Sequence, residues 1–395
     1  MVTIDTPPRT LPRRYLAWLG GVTVSRLGDA VLAFALGWAA AGLGGTTAAL
    51  VLTLGGLPRL VLLVVGGAVA DRVGARRILI AGEAALLILT AVLALALAWF
   101  GTPTWLLLAA ALALGTVTAF CLPATGSMPR RLVPDDQLTR ALALRQGLVQ
   151  VVLLTAAPLS GLLVGTAGLP VIAWGTTVTF AVSLCVLVAV REMSGPAADA
   201  APTGAMAARL GLVDGFRVVA RTPGLRSALA LTGAGAALIL PVPSLLVPLL
   251  GRASRWGPGT TGAVAAMVGV GVVCAAILAL RRRPASAATG LAVSAGGALL
   301  MAVGTLPMVV TVLGALVFGF GNGTFVARVA PLVLGSAPRT HLARVQALVG
   351  LAQLVPVMVT NAVLGALAEH ASPHWALGVT AAGLGACAIW ARRLV

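Results

Sequence analysis

The chain has 395 residues and no lysine; all 27 of its basic residues are arginine. Without lysine there is no Walker A phosphate loop and no Schiff base to pyridoxal phosphate. Charge of any kind is scarce, at 9% of residues against 59% hydrophobic. A soluble protein carries nearer a quarter charged residues, so most soluble folds are excluded, and so is disorder, which needs few apolar residues. Only ten acidic residues and three histidines are present, too few to suggest clustered acid–base or metal chemistry; an enzyme is not expected, nor is a cofactor. Cys121, Cys185, Cys274 and Cys387 have no CxxC spacing and sit in apolar runs, where they read as small packing residues without a disulfide or metal role. What remains is a net charge of +17, which would suggest nucleic acid if it lay on a soluble face.

It does not lie there. Twelve apolar runs approach the roughly 20 residues that a bilayer-spanning helix needs: about 14–41, 47–70, 78–100, 103–126, 141–166, 169–190, 225–250, 259–280, 286–305, 308–334, 342–368 and 374–393. They do not alternate in the manner of barrel strands. With the N-terminus inside, 22 arginines fall in inner-face segments, only Arg252 and Arg255 fall outside, and Arg26, Arg59 and Arg328 fall within helices. Such a split predicts cytoplasmic termini and an even number of spans. The basic charge records orientation, and no nucleic-acid partner is expected. The first run is too long for a signal-peptide core and reads as a retained span. A bacterial inner-membrane protein is the expectation, since an all-arginine complement suits a GC-rich bacterial coding sequence.

One long polar segment divides the spans six and six. The expected organisation is a first bundle at 1–190, a cytoplasmic linker at 191–223 and a second bundle at 224–395. Within the linker, Met206, Leu210, Val213, Phe216 and Val219 recur at helical spacing beside Arg209, Arg217 and Arg221, the pattern of an interfacial amphipathic helix. The halves also echo each other. Leu138–Leu144 (LTRALAL) matches Leu342–Leu348 (LARVQAL) at an offset that also aligns Pro134 with Pro338 and Gly115 with Gly319. Parallel repeats of this kind build transporters with a midplane site between the halves.

The turn after the second run reads Gly67-Ala-Val-Ala-Asp71-Arg72-Val-Gly74-Ala-Arg76-Arg77. It resembles the signature loop of the major facilitator superfamily, and it stands where that family places it. The equivalent turn of the second half, Arg281-Arg-Arg-Pro284, keeps the charge and lacks the Asp. Ala157-Pro158-Leu-Ser-Gly161 is similar to the Gly-Pro-x-x-Gly stretch of the superfamily's antiporters. Arg13-Arg14-Tyr-Leu-Ala-Trp, Ser25-Arg26-Leu-Gly28-Asp29, Leu57-Pro58-Arg59 and Arg221-Thr-Pro-Gly-Leu-Arg226 resemble its enterobactin-exporter-like and macrolide-efflux-like branch. The resemblance implies an all-α integral membrane protein with twelve transmembrane helices in two pseudo-symmetric six-helix bundles. In that fold Gly67, Asp71, Arg72, Gly74, Arg76 and Arg77 would latch one conformational state.

Charges inside a bilayer are functional hypotheses by default. Asp29 lies about 15 residues, or roughly 22 Å, into the first span, with Arg26 three residues earlier on the same helical face. Arg59 falls near the middle of the second span. Burial favours a protonated acid and a nearby arginine favours the carboxylate. Asp29 is therefore the expected proton carrier, with Arg26 and Arg59 as its counter-ions or the substrate's anchors; a permanent Arg–Asp pair is the structural alternative. Phe34, Trp38, Gln150, Asn322, Gln353 and Asn361 are further candidates for lining a cavity. Glu83 reads as an inner-face anchor, and Arg328 lies close enough to the inner end of its span to snorkel. Pro241, Pro243 and Pro248 mark a broken seventh span. Glu369, His370 and His374 have near-metal spacing, but Pro373 interrupts it and a solvated outer loop is the expectation.

The expected function is secondary active transport: proton-coupled efflux of amphiphilic small molecules (drug, antibiotic or siderophore) by alternating access. The alternatives are a lysophospholipid flippase of similar fold and a non-transporting membrane sensor. The expected partners are a small amphiphilic substrate, protons and membrane lipids, and a monomer is expected.

Overall fold

In the computed structural model, residues 10–190, 223–281, 285–303, 307–336 and 342–394 are described. Among them the secondary structure is helical throughout. The helices are α1 (Arg13–Ala41), α2 (Gly45–Val73), α3 (Ala75–Phe100) and α4 (Thr104–Leu132). Asp135–Ala189 then runs as two helices, α5 (135–167) and α6 (169–189), joined at Gly168. The second half holds α7 (Pro223–Ile239), a π-helical turn at Val242–Leu246, α8 (Val247–Ala253), α9 (Pro258–Arg281) and α10 (Ala287–Ala302). It ends with α11 (Met308–Ser336), α12 (Leu342–His370) and α13 (Pro373–Leu394). Nine of the described helices are long and apolar enough to cross a membrane. Counting the kinked one as two, and adding α2 and the shorter α10, gives the twelve spans read from sequence.

Helix ends fall where proline and glycine put them. Pro258 and Pro373 open α9 and α13, positions where the missing N–H costs nothing. Ser286 caps α10 by accepting the Thr289 amide at 3.1 Å. Gly168 has φ 80° and ψ 170°, open in practice only to glycine, and it turns the chain back within a single residue. The broken seventh span is real: Pro241 and Pro248 flank the π-helical turn.

In the first half, α1 and α3 pack on the α5–α6 pair, and α2 on α4; in the second, α7 packs on α12, α9 on α11, and α10 on both α11 and α13. The result is two six-helix bundles. Gly115 of α4 lies so close to Gly55 of α2 that a Cβ would meet its carbonyl oxygen, and Gly319 of α11 stands in the same way against Val268 of α9. The glycines aligned by the repeat thus occupy equivalent contacts between the second and fourth spans of each half.

The bundles meet along two seams, α2 against α12 and α5 against α9. Each pairs the second span of one half with the fifth of the other. Gly45 and Gly365 approach each other's carbonyl oxygens, and Gly161 and Gly262 approach those of Pro258 and Ala157. The Ala-Pro-x-x-Gly stretch is therefore a bundle–bundle contact. All these residues lie toward the far face, opposite the face where α1 begins and α13 ends (the terminal face). Near mid-depth, Gly56 meets Leu354 and Met358, and Gly269 meets Leu154.

Candidate functional site

α1 carries the polar centre. Arg26 and Asp29, one turn apart, line a cavity of about 420 Å³ together with Arg59 of α2, Leu122 of α4 and Arg145 of α5. Its apolar wall comes from Leu19 and Val22 on α1 and Leu148, Val149, Val152 and Leu153 on α5. Counted from their helix ends, these residues run from the terminal-face third of the membrane to mid-depth. The arginines that act on Asp29 are Arg26 and Arg59. No direct ion pair or hydrogen bond joins any of the three among the described residues, so the carboxylate is surrounded by positive charge without being locked to it. With Arg145 included, the cavity carries three guanidiniums and one carboxylate.

Arg145 is the residue that sequence reading missed. A fifth run started at 141 leaves it among the inner-face arginines. Pro134 and the acidic pair Asp135-Asp136 are a helix-start signature, and α5 does begin there. Arg145 is then ten residues into the helix, roughly 15 Å deep. A similar shift moves Glu83. α3 starts at Ala75, which puts Glu83 roughly 12 Å in, too deep for a surface anchor. The side chain accepts a hydrogen bond from Ser25 at 3.3 Å and lines a second, smaller chamber with Arg26 and Asp29.

Several other candidates lie away from the cavity lining. Trp38 is 5% exposed, with the Arg252 guanidinium stacked 4.0 Å above its ring. Phe34 packs against the main apolar core. Gln150 is exposed on α5, while Asn322 and Gln353 are half-buried on α11 and α12. Asn361 is buried on α12, and its Oδ1 has no hydrogen-bond partner. Arg328 is exposed. The expected packing role does not cover all the cysteines: Cys185 and Cys274 are exposed, while Cys121 and Cys387 are half-buried, and all four are free.

The signature loop is described in part. Gly67, Asp71 and Arg72 lie outside the residues whose side chains are described. Gly74 has φ 92°, so its glycine is needed for the turn. Arg76 donates to the carbonyls of Val188 at 2.8 Å and Val190 at 3.2 Å, which ties the loop to the end of α6 within the first bundle. Arg77 is exposed.

At the far face Glu369 is exposed, as expected of a solvated position, but it does not stand in a loop. Glu369 belongs to the last turn of α12 and accepts both the amide (2.7 Å) and the hydroxyl (2.6 Å) of Thr46 in the first turn of α2. Arg252, at the end of α8, donates to the Trp38 carbonyl at 3.0 Å near the end of α1. The α1–α2 hairpin thus receives an anion at the N-terminus of one helix and a cation at the C-terminus of the other, the signs that the helix dipoles favour. Both partners come from the second bundle. No group of three metal-ligating side chains occurs among the described residues.

Comparison with known proteins fits this architecture. One similar structure is a bacterial homologue of the iron transporter ferroportin in an inward-facing state (TM-score 0.73, 16% identity, covering 98% of this chain and 99% of that one). Another is a POT family transporter in complex with 5-aminolevulinic acid (TM-score 0.73, 13% identity, 97% of each chain). A third is the nucleoside transporter NupG, in a mutant form (TM-score 0.71, 11% identity, 97% of this chain and all of that one). At such identities the likeness is one of fold. A search of curated proteins finds no match. The description Major Facilitator Superfamily matches residues 18–353, most of the chain, and with twelve spans in two pseudo-symmetric bundles the protein belongs to that superfamily.

Proposed function

We propose that this protein is a proton-coupled exporter of amphiphilic small molecules working by alternating access. The observation that carries the reading is the lining of the 420 Å³ cavity, with Arg26, Asp29, Arg59 and Arg145 facing a wall of leucine and valine. A substrate with an apolar body and a polar or anionic head would satisfy both surfaces. Asp29 would lose its attraction to the arginines on taking a proton and regain it on releasing it. A polar head that binds the ionised Asp29 carboxylate would then compete with the proton for it, which is a means of coupling exchange.

The arginine bias supports cytoplasmic termini in a bacterial inner membrane. On that orientation the far-face seams make this an inward-facing arrangement. Residues 1–190 and 224–395 would rock as two bodies joined by the 191–223 linker. The far-face clasps would hold the outer gate, and the signature loop, through Asp71 and its arginines, would latch the opposite state. The export direction and the drug, antibiotic or siderophore class follow from the branch resemblance in the motifs around Arg26 and Arg59.

The test is transport in proteoliposomes with an imposed pH gradient, using ethidium and a carboxylate-bearing amphiphilic dye as probes. Dye movement that needs the gradient and carries protons against it is the expected result. Transfer of labelled lysophospholipid without a gradient, alongside no dye-linked proton flux, would replace this reading with a flippase.

A further inference from the structure

The second chamber adjoins the cavity and shares with its lining Val22, Arg26 and Asp29 of α1 and Leu122 of α4. It holds about 50 Å³, room for about three or four waters, and is enclosed by α1, α3, α4 and α6. Its polar groups are Ser25, Arg26 and Asp29 of α1, Glu83 of α3, Thr118, Cys121 and Thr125 of α4, and Ser183 of α6. The rest is apolar, including Leu79, Leu86 and Phe180.

Two atoms there lack partners. Glu83 Oε2 is buried with no hydrogen bond, and so is the indole N–H of Trp18, whose residue is 1% exposed. An orphaned acceptor and an orphaned donor in one small chamber call for something to bridge them, since each unpaired polar atom costs about 1–3 kcal/mol. Water fits the volume; a substrate does not. Trp18 stands toward the terminal face, Glu83 and Ser25 deeper, and Asp29 deepest, so the polar groups run inward in a line. An ionised carboxylate at this depth needs donors on both oxygens. The hydroxyls of Ser25 and Ser183 face Glu83, Oε2 has no partner, and a proton there would relieve the buried charge. Arg26 lines both this chamber and the cavity and is one of the charges facing Glu83, Asp29 being the other.

From this geometry we infer that Glu83 is a second proton-binding carboxylate, reached through water held between Trp18 and Glu83, and that Arg26 links it to Asp29 and the substrate cavity. The linkage rests on the proton-coupled reading above. The proton comes from water at the terminal face, adds to Oε2 and leaves by the same path. Arg26 is then released from Glu83 toward Asp29, or toward an anionic head in the cavity. Proton and substrate would then act on the same Arg26–Asp29 wall, which the chamber and the cavity share.

Infrared difference titration of the whole protein in liposomes, with no substrate present, tests the site apart from transport. The wild type should show a carboxylic C=O band that Glu83→Gln removes, one proton per chain, and that Asp29→Asn leaves in place. The S–H stretch of Cys121, assigned by Cys121→Ser, should shift with the same midpoint, and that shift should vanish in Glu83→Gln. Ser25→Ala, which deletes a donor to Glu83 and is gentler on folding, should move the C=O band. A band unchanged by both Glu83→Gln and Ser25→Ala, or a Cys121 thiol silent through the titration, overturns the proposal. Should the dye assay show no proton-coupled flux while the Glu83 band is present, exporter coupling falls and the proton site stands.

Discussion

The two bundles share a scaffold and differ in what fills it. In the first, helices are tied by side-chain hydroxyls: Ser160 donates to the Val31 carbonyl at 2.7 Å, Thr176 to that of Gly28 at 3.2 Å, and Thr177 to Thr90 at 2.9 Å. The second has such ties as well, from Ser294 to the Phe318 carbonyl at 3.2 Å and from Thr360 to that of Ala237 at 2.6 Å. Its α10–α11 pair also closes by backbone approach, with Gly290, Gly297, Gly314 and Gly321 each near the opposite main chain. Arg26, Asp29, Arg59, Glu83 and Arg145 all belong to the first bundle, whereas α7, the counterpart of α1, has its only charge at Arg226 in its first turn. Hydroxyl ties and glycine contacts are thus common to both halves, and what differs is where the ionisable groups stand. In the proposed cycle the first bundle would carry the chemistry and the second would supply a body to rock against.

The strongest way to break this division is at Asp29. Asp29→Asn should reduce gradient-driven dye flux to that of empty liposomes, while the neutral asparagine leaves the cavity's shape unchanged. Proton-coupled flux at the wild-type rate in that variant would remove Asp29 from the mechanism. Next in size are the repeat glycines. Gly115→Val and Gly319→Val each drive a side chain into a neighbouring carbonyl, and overpacking of this kind costs about 1–3 kcal/mol. Both should lower the detergent melting temperature by similar amounts, while Gly296→Ala, with open space around it, should not. If one valine is tolerated and the other is not, the scaffolds are not equivalent at that contact.

The far-face clasp sharpens the comparison, because there the second bundle acts on the first. Arg252→Gln removes a cation from the Trp38 ring, worth about 0.5–1 kcal/mol at an exposed site. The far-face-open population should rise about two- to fivefold, since RT is about 0.6 kcal/mol. Electron–electron distance measurements between labels at Leu43 and Trp375, both exposed, would read the shift. An unchanged distance distribution would mean that the glycine seams alone set the closed state.

How much of this was legible depends on the kind of signal. The spans, the Arg26–Asp29 spacing, the broken seventh span and the Gly115–Gly319 pairing follow from apolar length, helical period and repeat offset, and each has a local physical cause. Trp38 shows where that reading stops. α1 is apolar nearly all round, so its period does not separate a cavity face from a bundle-contact face. The aromatic expected to line the cavity is instead covered by Arg252 of the other bundle, a contact some 200 residues away in sequence. Glu83 and Arg145 escape it for a simpler reason. Starting α3 three residues late and α5 six residues late turns intramembrane charges into surface ones. Glu369 is obscured by Pro373, which ends α12 and opens α13 without making the intervening turn a loose loop.

Arg76 gives the smallest expected effect, and it separates two meanings of a basic loop. The signature loop and its second-half equivalent both carry arginines, and the positive-inside rule explains both. In the first bundle, however, Arg76 also donates to the last carbonyls of α6, the end of a helix where a cation is worth about 0.3–1 kcal/mol. In the second, Arg281 at the end of α9 is exposed. Arg76→Gln, which also loses hydrogen bonds to another helix, should therefore lower the melting temperature more than Arg281→Gln, and both should insert in the same orientation because many inner-face arginines remain. Equal melting temperatures for the two variants would reduce Arg76 to a topology signal. A difference would show that the first bundle's loop is held by its own helix ends, so that a latch built on Asp71 has a fixed base to close upon.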